Sequence, residues 1–151
     1  MLILVKGLLL VGVELGKDEV AYWYWARHHL DASYAFVMFA IIRVFDVLLC
    51  GNDLLLRLPF VLGSVASAWL LNRACERAGL TTQDRLLAVL SFVSSHWAWH
   101  TGSFLHPDGV LIPIWLATLA SAHRADRTKS DGDWVITGVL AGLTCLCKYT
   151  G

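Results

Sequence analysis

An acidic pair stands directly after the first apolar run of the chain. Asp18 and Glu19 precede the aromatic cluster Tyr22-Trp23-Tyr24-Trp25. Neighbouring residues on a helix point about 100° apart, so one carboxylate can face a site while the other caps the helix or forms an ion pair. A carboxylate at the water edge of a membrane cavity can act as a general base or bind a metal ion. The alternative is an acidic pair that only caps a helix.

A third carboxylate, Asp108, follows Pro107 in a short turn between two apolar runs. An ionisable residue so close to membrane depth is a candidate functional residue, although Pro-Asp-Gly is also common in ordinary turns. Two cations are further candidates, Lys148 near the end of the last apolar run and Arg57 at the start of another. Either could neutralise a lipid phosphate or simply extend to the membrane interface.

His96 and His100 are four residues apart, with His106 close by in the sequence. This spacing puts both imidazoles on one face of a helix, as a metal site requires. No Glu follows the first His, so the metalloprotease pattern is absent and interfacial or interhelical histidines are the favoured interpretation. The four cysteines contain no CxxC pair, so neither a zinc ribbon nor a disulfide framework is predicted.

The composition is that of a membrane protein. Of the 151 residues, 57% are hydrophobic and 16% are charged, whereas soluble domains have about 25% charged residues. High hydrophobicity without net charge also excludes a disordered chain. Lys and Arg together number 12, as do Asp and Glu, so no basic excess indicates a nucleic-acid partner.

Five apolar runs approach the length of about 20 residues that a membrane helix needs. We predict an all-α, polytopic transmembrane protein with about five spans. The predicted spans lie near 2–15, 54–72, 86–105, 110–122 and 134–150. The two basic connections between these runs fall on one side of the membrane, which the positive-inside rule makes cytoplasmic. The three candidate carboxylates and Lys148 then lie at the outer face.

The outer loop 16–53 is too apolar for an ordinary loop. Aromatic residues at 22–25 are typical of a membrane interface. A second apolar stretch, Tyr34 to Cys50, carries only Arg43 and Asp46 as charged residues. We predict two interfacial helices in this loop. The alternative is that Tyr34 to Cys50 forms a sixth span, which would move Asp18 to the other side.

Taken in order, these motifs resemble those of the GT-C membrane glycosyltransferases. The nearest likeness is to the dolichyl-phosphate-mannose–protein mannosyltransferase superfamily, especially its bacterial lipopolysaccharide-core and aminoarabinose-transferase-like branch. The motifs that match are Asp18-Glu19 with the following aromatics, Leu30-Asp31-Ala32-Ser33-Tyr34, Gly51-Asn52-Asp53, Arg57-Leu58-Pro59, Pro107-Asp108, Gly138 with Gly142-Leu143, and Lys148-Tyr149-Thr150. The apolar stretch 35–39 departs from the family pattern, which has polar residues and prolines there. The resemblance makes residues 1–151 the N-terminal part of a GT-C transmembrane domain.

The resemblance implies a transferase that moves a sugar from a polyprenyl-phosphate donor to an acceptor. The acceptor would be lipopolysaccharide or lipid A, another glycan, or a protein, at the periplasmic face of the cell inner membrane. Asp18 would be the catalytic base, Glu19 its support, and Asp108 a positioning residue. Lys148 and Arg57 would neutralise the donor phosphate. A divalent metal of unknown identity is a candidate cofactor, with Asp18 and Asp108 as its ligands.

Two other classes of function stay open. A truncated, catalytically inactive membrane module could bind polyprenyl phosphate without transferring a sugar. A small ion or proton transporter would need ionisable residues in mid-span, whereas those of this chain cluster at the ends of the spans. We expect 151 residues alone not to catalyse, because the family's remaining spans and outer domain complete the donor and acceptor sites.

Overall fold

The computed structural model describes residues 14–28, 35–48 and 52–148, and within these ranges the chain is helical with no strand. The predicted all-α class is therefore confirmed for this part of the chain. Nearly all of the first predicted span, the motif at 30–34 and the last residues of the fifth predicted span lie outside the described residues.

The outer loop contains two helices that pack against each other, α1 (Lys17–His28) and α2 (Phe36–Leu48). The buried Asp46 of α2 joins them, because its two carboxylate oxygens accept hydrogen bonds from Trp23 Nε1 at 3.0 Å and Arg27 Nε at 2.7 Å. The first turn of α1 is acidic and its last turn basic, which complements the helix dipole. Helices are thus present where the sequence predicts them, and their depth in a membrane stays a prediction.

Next come the short helix α3 (Asp53–Leu56) and the long helix α4 (Leu58–Arg77), with Arg57 between them. Pro59 lies in the first turn of α4, where its missing N–H costs no helical hydrogen bond. Among the described residues, α4 alone combines the length and the apolar character that a membrane crossing needs. At 20 residues it is about 30 Å long. The predicted count of about five spans is therefore not confirmed.

The predicted run 86–105 is divided into α5 (Thr82–Ser94) and α6 (His96–Thr101). Ser95 causes the division, because its backbone is extended and its side chain is used at both helix ends. Its hydroxyl donates to the carbonyl of Phe92 at 2.7 Å and accepts from the N–H of Ala98 at 3.2 Å. A serine that caps the next helix in this way ends one helix and begins another, so the run 86–105 is not one continuous helix.

The last two helices, α7 (Pro107–Thr128) and α8 (Asp131–Cys147), pack along each other. Hydroxyl pairs bridge them, Thr118 with Thr144 at 3.3 Å and Ser121 with Thr137 at 2.9 Å. α7 is longer than the predicted run 110–122, because His106 caps it and Pro107 occupies its first turn. α7 also lies along α4.

Two glycines set how closely α4 and α7 approach. A methyl group added to Gly63 would lie 2.5 Å from the carbonyl oxygen of Gly109, and one added to Gly109 would collide with the carbonyl oxygen of Thr101. α4, α6 and α7 therefore meet almost backbone to backbone, which leaves no room for a side chain at these positions.

The buried core lies at one end of the helices, where α1 and α2 cover the starts of α4 and α7 and the end of α8. Its largest members include Phe39, Ile42, Leu56, Phe60 and Leu105. Outside this core, α5 and α8 expose many large apolar side chains, among them Leu87 and Val139. The core therefore stabilises the end of the helices at which the candidate carboxylates lie.

Candidate functional site

An open cleft of about 420 Å³ lies beside the first turn of α1. Its wall is formed on one side by residues 14–22 and on the other by the end of α6 and the segment 104–106. The side chains of interest on this wall are Glu14, Asp18, Tyr22, His100, Phe104 and His106. Acidic and imidazole groups therefore face each other across an aromatic cleft.

Glu19 is buried at the base of this cleft, with only 4% of its surface exposed. One carboxylate oxygen accepts from Arg57 Nε at 3.0 Å and from the N–H of Leu105 at 3.0 Å. The other accepts from an Arg57 guanidinium nitrogen (Nη2) at 2.7 Å and from the N–H of Gly16 at 3.0 Å. With four donors on two oxygens, Glu19 holds α1, the start of α4 and the segment 104–106 together.

Arg57 neutralises the charge of the buried Glu19 carboxylate. Its side chain is 1% exposed, it also donates to the carbonyl of Glu14 at 3.0 Å, and its guanidinium carbon lies 5.5 Å from the centre of the Phe104 ring. A fork-shaped pairing of this kind uses the fixed geometry of the guanidinium group. Glu19 occupies both Nε and Nη2 of Arg57, so a donor phosphate would compete with this carboxylate there, and phosphate binding by Arg57 stays a prediction.

Asp18, by contrast, is exposed and lines the cleft. One of these neighbouring carboxylates is exposed and the other is buried because adjacent side chains on a helix diverge by about 100°. Because Glu19 is fixed by its four hydrogen bonds, the first turn of α1 is held in place and Asp18 stays directed at the cleft.

A second cluster, formed by His106, Asp108 and Lys148, lies where α7 begins and α8 ends. Lys148 Nζ donates to Asp108 Oδ1 at 3.2 Å, and the N–H of Asp108 donates to His106 Nδ1 at 3.2 Å. Asp108 is buried, whereas Lys148 keeps 29% of its side chain exposed. The predicted positioning residue and the predicted phosphate ligand are thus in contact, although 40 residues separate them in the sequence.

His106 connects the two groups, because it lines the cleft and caps α7. Burial lowers the pKa of His106, and the positive charges of His100 and Lys148 lower it further, against the negative charges of Asp108 and Asp18, which raise it. The imidazole is therefore held in its neutral form more strongly than in an unfolded chain. Because Nδ1 accepts the N–H of Asp108, the proton of the neutral ring lies on Nε2, which can donate a hydrogen bond to a bound molecule.

Sequence comparison decides the family. Residues 33–151 match the family described as dolichyl-phosphate-mannose-protein mannosyltransferase, which is most of the chain. The chain belongs to this family. It is accordingly a membrane glycosyltransferase sequence of the GT-C type, as the sequence motifs predict. No curated protein and no solved structure matched the chain.

The mannosyltransferase match covers Arg57, Asp108 and Lys148 but begins after Asp18 and Glu19. The ion pair between Glu19 and Arg57 nevertheless joins α1 to the matched region. The ion pair therefore connects the acidic residues 18 and 19 to the part of the chain that matches the family.

Binding of a divalent metal ion by Asp18 and Asp108 stays a prediction. Within the described residues no three side chains of His, Cys, Asp or Glu are placed to hold one ion, and Asp108 is already paired with Lys148. His96 and His100 have ring centres 6.3 Å apart. We therefore assign no chemical step to a metal ion.

Sequence reasoning missed the importance of His106. Its position just before Pro107 and Asp108 could have shown it, since a residue before a first-turn proline is the expected helix cap. Its place on the cleft wall depends on where α6 ends, and the sequence does not reveal that.

Proposed function

We propose that the chain is the N-terminal part of an integral membrane glycosyltransferase that moves a sugar from a polyprenyl-phosphate donor to an acceptor hydroxyl. The acceptor class is lipopolysaccharide or lipid A, another glycan, or a protein, and the reaction takes place at the periplasmic face of the inner membrane. The observation that carries the proposal is the exposed Asp18 carboxylate on the cleft wall, held there by the buried pair of Glu19 and Arg57.

In the proposed reaction, Asp18 accepts the proton of the acceptor hydroxyl. The acceptor oxygen then bonds to the anomeric carbon of the sugar while the bond from that carbon to the phosphate oxygen breaks. The lipid phosphate leaves with the bonding electrons, and Asp18 later releases its proton to water. General-base catalysis of this kind contributes about 10²–10⁴-fold to a rate.

Lys148 supports the departure of the phosphate in this proposal. Its ammonium group is oriented by Asp108 and stays partly exposed, so it can approach an anion without leaving its partner. Positive charge beside a leaving phosphate stabilises the transition state. Asp108 acts through Lys148 and is a positioning residue. Glu19 and Arg57 act through the geometry of α1.

The test is a transfer assay in membranes that contain the full-length protein of which these residues are the proposed N-terminal part, using radiolabelled polyprenyl-phosphate sugars and measuring label in the acceptor. We expect Asp18→Asn to lower the rate by about 10²–10⁴-fold, with donor binding retained. The matched control is Glu14→Gln, a second exposed carboxylate on the same cleft wall, which should stay within about threefold of wild type because it takes no part in the proposed proton transfer.

Transfer at the wild-type rate by Asp18→Asn contradicts the assignment of the base. A wild-type protein that binds labelled donor but transfers no sugar would instead identify the inactive, polyprenyl-phosphate-binding module.

A further inference from the structure

A second cavity, of about 480 Å³, lies between α4 and α7 at the opposite end of α4 from the candidate site. Its lining is apolar on one side and charged on the other. Trp69, Leu70, Ala117 and Ala120 form the apolar part, and Arg73, Glu76 and Arg77 form the charged part. We call this cavity the α4–α7 groove.

The charged part of the groove carries a net positive charge. Glu76 accepts from Arg73 at 2.8 Å and from Arg85 at 2.9 Å, so this single carboxylate is shared by two guanidinium groups. Arg77 is exposed and makes no ion pair with any residue in the described ranges. Within the lining, Arg73 and Arg77 against Glu76 leave one positive charge, and Arg85, which shares Glu76, adds a second beside the groove.

The apolar part of the groove lies one helical turn before Arg73 on α4. Trp69 precedes Arg73 by four residues and therefore lies on the same face of α4. The guanidinium carbon of Arg73 is 5.8 Å from the centre of the Trp69 ring, and 56% of Trp69 is exposed. Exposed tryptophan beside arginine is the pattern found where a helix leaves the hydrocarbon for the headgroup layer.

We propose that the α4–α7 groove binds one anionic phospholipid, with its phosphate between Arg73 and Arg77 and an acyl chain along Trp69 and Leu70. Basic pockets between membrane helices are suited to such headgroups. The continuous apolar wall favours a lipid over free phosphate, which would gain nothing from Leu70 or Ala117. This site is separate from the cleft of the proposed transfer reaction and does not depend on that reaction.

The experiment uses the purified full chain in vesicles of equal parts phosphatidylglycerol and phosphatidylcholine. Bromine atoms are placed on the acyl chains of one lipid or the other, and their quenching of tryptophan fluorescence is measured. The chain has seven tryptophans, so the signal of Trp69 is the difference between wild type and Trp69→Phe.

We expect brominated phosphatidylglycerol to quench Trp69 preferentially, with each arginine contributing about fivefold to the preference. Arg77→Gln should therefore lower the preference about fivefold, and the double variant Arg73→Gln with Arg77→Gln should abolish it. The matched control is Arg127→Gln, an exposed arginine in the last turn of α7 that does not line the groove. It should keep the wild-type preference.

Three results would overturn the proposal. The first is equal quenching by the two brominated lipids in the wild-type chain. The second is an equal loss of preference in Arg77→Gln and Arg127→Gln, which would indicate general surface charge. The third is removal of the preference by millimolar inorganic phosphate at constant ionic strength, which would indicate a site for the free ion. Circular dichroism of each variant verifies that the helices are intact.

Discussion

Two adjacent carboxylates at the start of α1 have opposite environments, and the difference decides what each can do. Glu19 is enclosed by four hydrogen-bond donors from Gly16, Arg57 and Leu105. Asp18 points into the cleft. Removing water from an ion pair is costly, and the pair is tolerated only when both ions are fully hydrogen-bonded. Glu19 therefore holds the start of α1 in place, and Asp18 is the carboxylate of the pair that we propose as the proton acceptor.

Breaking this buried pair should cost far more stability than breaking a surface pair. We expect Glu19→Gln to lower the free energy of unfolding by about 3–5 kcal/mol, because Arg57 would be left as an uncompensated buried charge. The measurement is thermal unfolding of the protein in detergent.

The matched control for Glu19→Gln is Asp126→Asn. Asp126 pairs with Lys129 at 2.6 Å, but both side chains are more than two-thirds exposed. Solvent screens an exposed pair so strongly that it adds little to stability, so this variant should unfold close to wild type. Equal losses of stability in the two variants would show that the buried pair of Glu19 and Arg57 stabilises the fold no more than an exposed pair does.

His106 gives the protein a pH dependence whose sign can be worked out. Its pKa in the folded protein is lowered, chiefly by burial, below the value of about 6.5 that an unfolded chain has. As the pH falls below that value, the unfolded chain takes up a proton before the folded one does, so the free energy of unfolding decreases. The contribution of His106 to the free energy of unfolding changes only between the two pKa values. It is constant above the pKa in the unfolded chain and constant again below the pKa in the folded protein.

We therefore expect unfolding midpoints to fall as the pH drops below about 6.5, and this slope to be reduced in His106→Asn. Asparagine keeps a side chain able to cap α7, so the change in slope reports on titration and not on the loss of the cap. An unchanged slope in His106→Asn would show that this histidine titrates alike in both states.

At the scale of the elements, the apolar runs correctly predicted helices but not where each helix begins and ends. Ser95 divides one predicted span because its hydroxyl serves both α5 and α6. α7 begins earlier than its hydrophobicity indicates, because His106 and Pro107 form its start. Caps depend on single side chains, whereas a hydrophobic run averages over many residues. A prediction based on hydrophobic runs therefore misses helix ends that single residues determine.

The contact between α4 and α7 depends on the absence of side chains at Gly63 and Gly109. We expect Gly63→Ala and Gly109→Ala to destabilise the protein by about 1–3 kcal/mol each, because the added methyl group meets a backbone carbonyl that cannot move alone. Thermal unfolding in detergent measures the effect.

Gly138 and Gly142 of α8 supply the controls. Apart from the nearby backbone of α8 itself, no atom of the described residues lies within 4 Å of a methyl group added at either position, and alanine is about 1 kcal/mol better than glycine inside a helix. Gly138→Ala and Gly142→Ala should therefore be neutral or stabilising. The close-approach argument is wrong if all four substitutions behave alike.

At the scale of the whole molecule, the sequence predicted the helical class and the family, because both depend on features that are local and repeated. It also named Asp18, Asp108 and Lys148 before their distances were known. The roles of these residues in a transfer reaction stay predictions.

Two pairings could not be foreseen. Glu19 meets Arg57 across 38 residues and Lys148 meets Asp108 across 40 residues. Such contacts depend on how α1 and α8 lie against the start of α7, and hydrophobic periodicity contains no information about that. For the same reason the sequence did not show that Arg57 is the buried partner of a carboxylate, and its predicted role as a phosphate ligand stays a prediction.

The hydrogen bond from the N–H of Leu105 to Glu19 spans 86 residues, and this has a consequence for biosynthesis. While the chain emerges from the ribosome, Glu19 can pair with Arg57 before Leu105 is made, but one of its four hydrogen bonds has no donor until then. A buried carboxylate oxygen that lacks a donor is unfavourable unless water takes the donor's place. The start of α1 must therefore stay open to water until residue 105 has been synthesised, and the cleft closes around Glu19 only after more than two-thirds of these residues have been made.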